Sequence, residues 1–389
     1  MKSQENRQSF IVFGQPCIAQ DEIDEVVDSL KNAWLGTGPK VTQFENDFAV
    51  YKGIPYAAAV NSCTAGLHLC CVALNLQPGD EVITTPMTFC ATVNAIIHSG
   101  ATPVLADINP ETLNIDPYQI KEKITPRTKA IIPVHFAGRA CEMGSIMQIA
   151  REHRLVVIED CAHAIETELG GEKAGTFGDF GVFSFYSTKN IVTGEGGMVI
   201  SKNPDAIQRI RKLSLHGMSI DAWQRFSQTG YKHYYVEEAG FKYNMMDLQA
   251  AIGIHQLKKV DEYWQRRKQI WETYMDAFEG LPVGLPAPVE PNSRHAYHLF
   301  TIRLNKDLTG ISRNEFLEAM TISGIGVGVH YLSIPEHPYY QRTFGWHPDD
   351  YPNATAYGRE TVSLPISAKL TEADVERVIG AVYSIIRAG

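Results

Sequence analysis

The sequence has no uninterrupted apolar run long enough to read as a membrane span. The stretch from Ile54 to Leu76 is uncharged, but Pro55, Asn61, Ser62, Thr64 and His68 break it into a strand, a polar turn and a buried helix. There is no excess of positive charge either. Its 35 basic and 44 acidic side chains leave a net charge of −9, which favours neither phosphate neutralisation nor anionic lipid. Nucleic acid and membrane are therefore not expected partners. No CxxC pair is present, and the seven cysteines are an odd number. Cys70-Cys71 reads as helix packing, and all seven are expected as reduced thiols of a cytoplasmic protein. Met1 to Ser9 is polar and lacks the apolar core of a secretory leader. No internal repeat is evident, and the 31 Gly and 20 Pro are scattered, which excludes collagen-like or linker composition. With 44% hydrophobic and 20% charged residues, the 389-residue chain is no disordered tail. At roughly 150 residues per domain, its length predicts two or three domains.

Short apolar runs alternate with helical patterns over the first three hundred residues. Strands are expected at Tyr56 to Val60, Glu81 to Thr84, Thr102 to Ala106, Ala130 to Val134 and Leu155 to Glu159. Helices are expected at Asp21 to Ala33, Thr64 to Leu74, Cys90 to His98 and Met143 to Arg154. The strand runs are nearly all apolar rather than alternating, the mark of a parallel sheet covered on both faces. Two further strands follow, Gly178 to Tyr186 and Gly196 to Ser201. Beyond Asp205 to Leu213 the chain turns polar and aromatic through Tyr235, and then reads as helix over Asp247 to Leu257 and Asp261 to Phe278. The Pro/Gly-rich Leu281 to Pro291 reads as a hinge into a smaller module. That module has strands near Tyr297 to Leu304 and Gly328 to Tyr331, and helices at Arg313 to Ile322 and Thr371 to Arg387. The expected architecture is α/β: a large, mostly parallel sheet domain over residues 1–280 and a smaller C-terminal α/β domain over 281–389.

In open parallel sheets ligands bind beyond the carboxyl ends of the strands, and four groups stand there. Asn61-Ser62-Cys63-Thr64-Ala65-Gly66 offers small residues and free N–H groups at a helix start, which suits a phosphate or a simple N-cap. Glu159-Asp160-Cys161-Ala162-His163 places an Asp that can pair with a protonated ring nitrogen and a His beside it. Those residues read equally well as a cap and a satisfied core histidine. Phe183 to Asn190, followed by Gly194-Glu195-Gly196-Gly197, ends an uncharged aromatic strand with Lys189. A partly desolvated lysine there has a lowered pKa and a free amine for imine formation, and Ser184 is within reach of a phosphate. The alternative is a surface lysine. Gly240 to Asp247 is a polar-aromatic turn that its own pattern does not decide. Together the groups supply a phosphate cradle, a pyridinium partner and an imine-forming lysine, the equipment of a pyridoxal phosphate site.

On these strings the chain resembles the DegT/StrS-type nucleotide-sugar aminotransferases, within the fold-type I pyridoxal phosphate enzymes. The resemblance runs from about Phe13 to the C-terminus. Further strings that carry it are Trp34-Leu35-Gly36-Thr37-Gly38-Pro39, Pro78 to Ile83, Gly100 to Val104, Thr125 to His135, Leu215-His216-Gly217 and Tyr243-Asn244. Within the family it resembles spore-coat polysaccharide aminotransferases and the enzyme making UDP-4-amino-4-deoxy-L-arabinose.

The resemblance implies an aspartate aminotransferase-like fold and roles for individual residues. Lys189 forms the internal aldimine and shuttles the proton, and Asp160 pairs with the pyridine nitrogen. Thr64, Ala65 and Ser184 hold the phosphate, joined by Asn244 from the other subunit of a homodimer with shared active sites. Phe89 stacks on the ring with neither a hydroxyl nor an indole N–H. His163, where many relatives carry Gln, lies near the ring hydroxyl. His330 and Tyr331 border the sugar pocket, while His216 has no assigned role. The implied reaction moves an amino group from L-glutamate, releasing 2-oxoglutarate, to a keto group of a nucleotide-linked sugar, with the cofactor alternating between pyridoxal and pyridoxamine phosphate. A UDP-linked 4-keto sugar, for surface polysaccharide or amino-sugar biosynthesis, is the expected substrate. A C3 aminotransferase acting on a dTDP- or GDP-linked sugar is the alternative, and a non-catalytic cofactor-binding regulator is the rival from another class. Lys189 argues against the related sugar 3-dehydratases, which carry His there. No metal is expected.

Overall fold

The computed structural model describes residues 9–219 and 234–388. All of Met1 to Ser9 except its last residue, and most of the polar-aromatic stretch up to Tyr235, lie outside the described residues. In chain order the first elements are α1 (Gln20–Lys31), α2 (Pro39–Lys52), β1 (Tyr56–Val60), α3 (Cys63–Ala73), β2 (Glu81–Thr84), α4 (Cys90–His98) and β3 (Thr102–Leu105). Next come α5 (Pro117–Lys123), β4 (Thr128–Ile132), α6 (Met143–His153), β5 (Val156–Asp160), β6 (Glu168–Leu169), β7 (Glu172–Lys173), β8 (Phe180–Ser184) and β9 (Gly197–Ser201). After α7 (Pro204–Ser214), α8 (Asp247–Lys258) and α9 (Val260–Phe278) the chain forms β10 (Ser293–Arg294), β11 (Phe300–Arg303), α10 (Lys306–Thr309) and α11 (Arg313–Ile322). It ends with α12 (Pro338–Phe344), α13 (Pro352–Glu360), β12 (Thr361–Leu364) and α14 (Glu372–Ala388).

Seven strands form one sheet in the order β1-β9-β8-β5-β4-β2-β3. β9 runs antiparallel to both its neighbours, and the remaining pairings are parallel. The strands are buried on both faces, and side chains alternate between the layers with period two. Val182, Val199 and Ile158 pack under Leu67 of α3 and Ile210 of α7. On the other face Phe183, Met198 and Ile200 meet Phe44 and Phe48 of α2 and Ile254 of α8. Farther along the sheet Ile83, Ile131 and Val157 pack on α5 and α6. Because Ile158 faces α3, Asp160 emerges on that same side and Glu159 on the opposite one.

A second apolar cluster gathers Phe300 and Ile302 of β11, Val362 and Leu364 of β12, Phe316 of α11 and Val378 of α14. It also takes in Trp271 and Tyr274 from α9, and Ile11 from the start of the chain. α9 thus spans both cores, with Val260 and Tyr263 in the cluster of α2 and α8.

The strand expected at Gly328 to Tyr331 does not form. Only one bridge joins Gly328 to Ser363, and the chain then turns so that His330 and Tyr331 leave the sheet. The edge of β11 is taken by β12 instead, for which no strand was expected. The preceding strand begins at Phe300 rather than Tyr297, because Tyr297 adopts a left-handed φ of 51°. There Ala296 and His298 donate to the carbonyls of Gly138 and Ala137. Leu281 to Pro291, read as a hinge, is tied down: Arg139 binds Glu290 and donates to the Pro288 carbonyl at 3.0 Å. All seven cysteines are free thiols. Among the described residues no helix is long and apolar enough to cross a membrane.

Glu159 anchors β5. Its carboxylate is fully buried and accepts from the Gly175 and Gly178 amides, each at 2.8 Å, and faces His135 Nε2 at 2.9 Å. The Cys141 amide donates to His135 Nδ1 at 3.0 Å, so Nε2 carries the proton toward Glu159. Removing that acceptor strands three buried donors. Glu159→Ala is expected to lower stability by about 3–5 kcal/mol, read as a reduced midpoint in urea unfolding followed by circular dichroism.

Candidate active site

The parallel strands end along one edge of the sheet, and a cavity of about 560 Å³ opens there. Ser62 to Thr64 follow β1, Thr88 and Phe89 follow β2, Val134 follows β4, Asp160 ends β5 and Ser184 ends β8. β9 is reversed, so its start rather than its end meets the cavity, through Glu195 and Gly196. Eight of the ten residues singled out from sequence line this space: Thr64, Phe89, Asp160, His163, Ser184, Lys189, His330 and Tyr331. Ala65 lies just behind, its amide donating to Ser62 Oγ at 3.1 Å as the N-cap bond of α3. Asn244 is not among the lining residues. Its side chain donates to Thr37 Oγ1 at 2.6 Å and its backbone bridges Val60. His216 also stands apart, exposed at φ 60°.

The loop that carries Lys189 is held by its own backbone. Lys189 N donates to the Tyr186 carbonyl and Thr193 N to that of Phe185. Gly194 supplies a φ of 84° at the return. Gly197 passes so close to the start of α3 that a Cβ there would lie 2.6 Å from the Ser62 carbonyl carbon. A larger residue would push the helix start away from the cavity.

Burial governs the charges. It pushes the Lys189 ammonium down to about 8, against the raising effect of Cys63 and Asp160. It raises the Asp160 carboxyl, opposed by hydrogen bonds from Thr92 Oγ1 at 2.8 Å and the Ala162 amide at 3.1 Å. His163 is held neutral, well below its ordinary range, by burial and by Lys189. The Ala137 amide donates to its Nδ1 at 3.3 Å, so the proton sits on Nε2 and points at the Tyr331 oxygen, 3.0 Å away. The Tyr331 hydroxyl hydrogen is thereby free to be offered to the cavity. Burial and Lys189 likewise bring His330 down to about 4.

Behind His163 lies a second buried chain of polar groups that sequence reasoning missed. His298 sits 4.3 Å from the His163 ring centroid and contacts Asn190 Oδ1 at 2.8 Å. Asn190 donates to Glu166 and to the Ala296 carbonyl. Burial lifts Glu166 to about 7. Thr88, Thr92, Tyr186, Thr188 and Glu195 are further lining residues with no sequence assignment. Thr88 and Thr92 are four apart, around Phe89, and that spacing was the available signal.

The donor set fits a phosphorylated pyridine aldehyde: a partly neutral amine, a buried carboxylate, free amides at a helix start and an aromatic wall. Comparison with known proteins agrees. A sequence profile of the DegT/DnrJ/EryC1/StrS aminotransferase family matches residues 16–383. The spore coat polysaccharide biosynthesis protein SpsC of Bacillus subtilis is 47% identical, over 98% of this chain and 99% of its own. The putative sugar aminotransferase Spr1654 of Streptococcus pneumoniae, in its pyridoxamine phosphate (PMP) form, superposes with a TM-score of 0.91 at 32% identity, covering 97% and 99% of the two chains. Its pyridoxal phosphate (PLP) form superposes at 0.90. DesI, solved in the presence of its TDP-sugar product, gives a TM-score of 0.86 at 30% identity, covering 97% and 93%. The fold is that of the fold-type I enzymes, and the cofactor is pyridoxal phosphate, alternating with pyridoxamine phosphate. With the site's geometry and the profile in agreement over nearly its whole length, the chain belongs to the DegT/DnrJ/EryC1/StrS aminotransferase family.

Proposed function

We propose that the protein transfers the amino group of L-glutamate to the C4 keto group of a UDP-linked keto-sugar, in the synthesis of a surface polysaccharide or amino-sugar. The observation that carries this reading is the meeting of Lys189 and Asp160 in one cavity at the sheet edge. The likeness to SpsC, whose name places it in spore coat polysaccharide biosynthesis, supports the pathway class. DesI, with its TDP-sugar product, supports a nucleotide-linked substrate.

Pyridoxal phosphate, when bound, supplies the electron sink that lets a carbon–hydrogen bond beside nitrogen be broken and remade. This chain's residues do the rest. Lys189 would hold the cofactor through an amine that burial keeps partly neutral at physiological pH, and its Nζ would carry the proton. Asp160 holds the ring nitrogen protonated. The start of α3 at Thr64 and Ala65, with Ser184, takes the phosphate. Phe89 would cover one ring face, His163 would face the ring oxygen, and His330 and Tyr331 would border the sugar. One site serves both halves of the reaction, so ping-pong kinetics follow.

A homodimer belongs to the same reading. Among the described residues that line the cavity, Lys189 is the only lysine or arginine, yet both substrates are anionic. Ile23, Val27, Leu30, Trp34 and Leu35 expose apolar surface along and after α1. Asn244, which does not line its own cavity, belongs in this proposal at the partner's phosphate.

Lys189→Ala is expected to hold no borohydride-trappable cofactor and to lose transamination by at least about a thousandfold. Near-full activity would end the assignment. In the wild type, the rate at which the apoprotein captures pyridoxal phosphate should rise with pH through about 8, because the neutral amine is the nucleophile. A capture rate flat from pH 7 to 9.5 would contradict a lowered lysine. Mass spectrometry of products from UDP-, dTDP- and GDP-linked keto-sugars with glutamate is expected to show a UDP-4-amino product. A dTDP or C3 product would replace the substrate assignment while leaving the reaction class intact.

A further inference from the structure

Asp160 ends a chain of hydroxyl groups that runs back along the first turn of α4. Thr92 Oγ1 lies 2.8 Å from Asp160 Oδ2, and Thr88 Oγ1 lies 2.8 Å from Thr92 Oγ1. Both threonines are almost fully buried. A threonine hydroxyl has one proton. With Asp160 ionised, that of Thr92 goes to the carboxylate, so the Thr88 hydroxyl must donate to Thr92. The direction of the chain is therefore fixed by the charge at its end, and donors arranged in series polarise one another. The other oxygen, Oδ1, receives the Ala162 amide. Each carboxylate oxygen thus has one donor in place and capacity left over for a ligand N–H.

We propose that Thr92, locked by Thr88, is a positioning residue that keeps Asp160 ionised and aimed at the ring nitrogen of the cofactor. The proposal rests on Asp160 being the partner of that nitrogen. Thr88 and Thr92 also flank Phe89 in sequence, so the same turn that charges the edge of the ring sets the side chain proposed to cover its face. Around Asp160 the other titratable groups are Lys189 from the loop after β8 and His135 beyond β4. Tyr331 and the thiols of Cys63, Cys141 and Cys161 complete them. Among these only Lys189 and His135 favour the ionised form. Against its burial Asp160 has first the hydrogen bonds of Thr92 and the Ala162 amide, and after them Lys189 and His135.

The test uses the full-length apoprotein and 4′-deoxypyridoxine 5′-phosphate. This probe keeps the ring nitrogen and phosphate but has no aldehyde for Lys189. Its affinity is measured by calorimetry across pH. Asp160→Asn identifies the acid limb of binding that belongs to the carboxylate. In Thr92→Val, which keeps the shape and removes the donor, that limb should move up by about one pH unit, with binding about fivefold weaker at the wild-type midpoint and about tenfold weaker below it. Thr88→Val should move it the same way by less, and Thr92→Ser should restore it. An unmoved limb, a loss equal at every pH, or a Thr92→Ser as impaired as Thr92→Val would overturn the proposal. If Asp160→Asn binds the probe like wild type, the pairing of Asp160 with the ring nitrogen falls, and the proposal falls with it.

Discussion

Keeping a carboxylate charged where water is scarce is the constraint around which the site is built. Asp160 is buried at the tip of a strand that is itself buried on both faces, and desolvation alone favours its neutral form. The fold answers with fixed donors: a threonine hydroxyl from α4, the amide of Ala162, and the nearby cation of Lys189. The same burial acts on Lys189 with the opposite chemical benefit, since it releases the amine. In one low-dielectric pocket, burial by itself frees the amine of Lys189, whereas the carboxylate of Asp160 stays charged only through the donors set against that burial.

Adjacent positions on β5 divide the work by face. Glu159 points away from the cavity and holds the Gly175 and Gly178 amides and His135, a wholly structural set of bonds. Asp160 points toward the cavity. A slip of one residue would exchange the two carboxylates, so the strand needs the firm register that the Glu159 bonds supply. His163 and Tyr331 form a neutral pair whose proton order follows from one backbone amide, at Ala137.

Much of this was legible in the chain. The nearly continuous apolar runs gave the large sheet, and polar residues placed straight after them located Thr64, Asp160, Ser184 and Lys189. The signal was strong because a parallel sheet puts every strand end on one edge. The reversal of β9 was not legible, since an apolar run has no direction. α2 escaped although Val41, Phe44 and Phe48 repeat at helical spacing, because polar residues dominate the rest of the segment. The strand expected near Gly328 failed for a tertiary reason. Its residues form a single bridge to β12, between Gly328 and Ser363, before the chain departs to the cavity, and no local pattern marks that departure. The His298–Asn190–Glu166 chain spans more than a hundred residues in sequence and required the fold to bring it together.

The reversal of β9 also bears on how the chain reaches this state. Among the described strands of the large sheet, β8 and β9 are the one neighbouring pair that follow each other directly as an antiparallel hairpin. Every other pairing waits for distant segments or a helical crossover to arrive, and closing such long loops is slow. Lys189 therefore rides at the tip of the quickest-closing part of the sheet. Asp160 comes from the parallel pairing of β5 with β8, a longer loop than the hairpin, so the lysine's loop closes before its counterpart arrives.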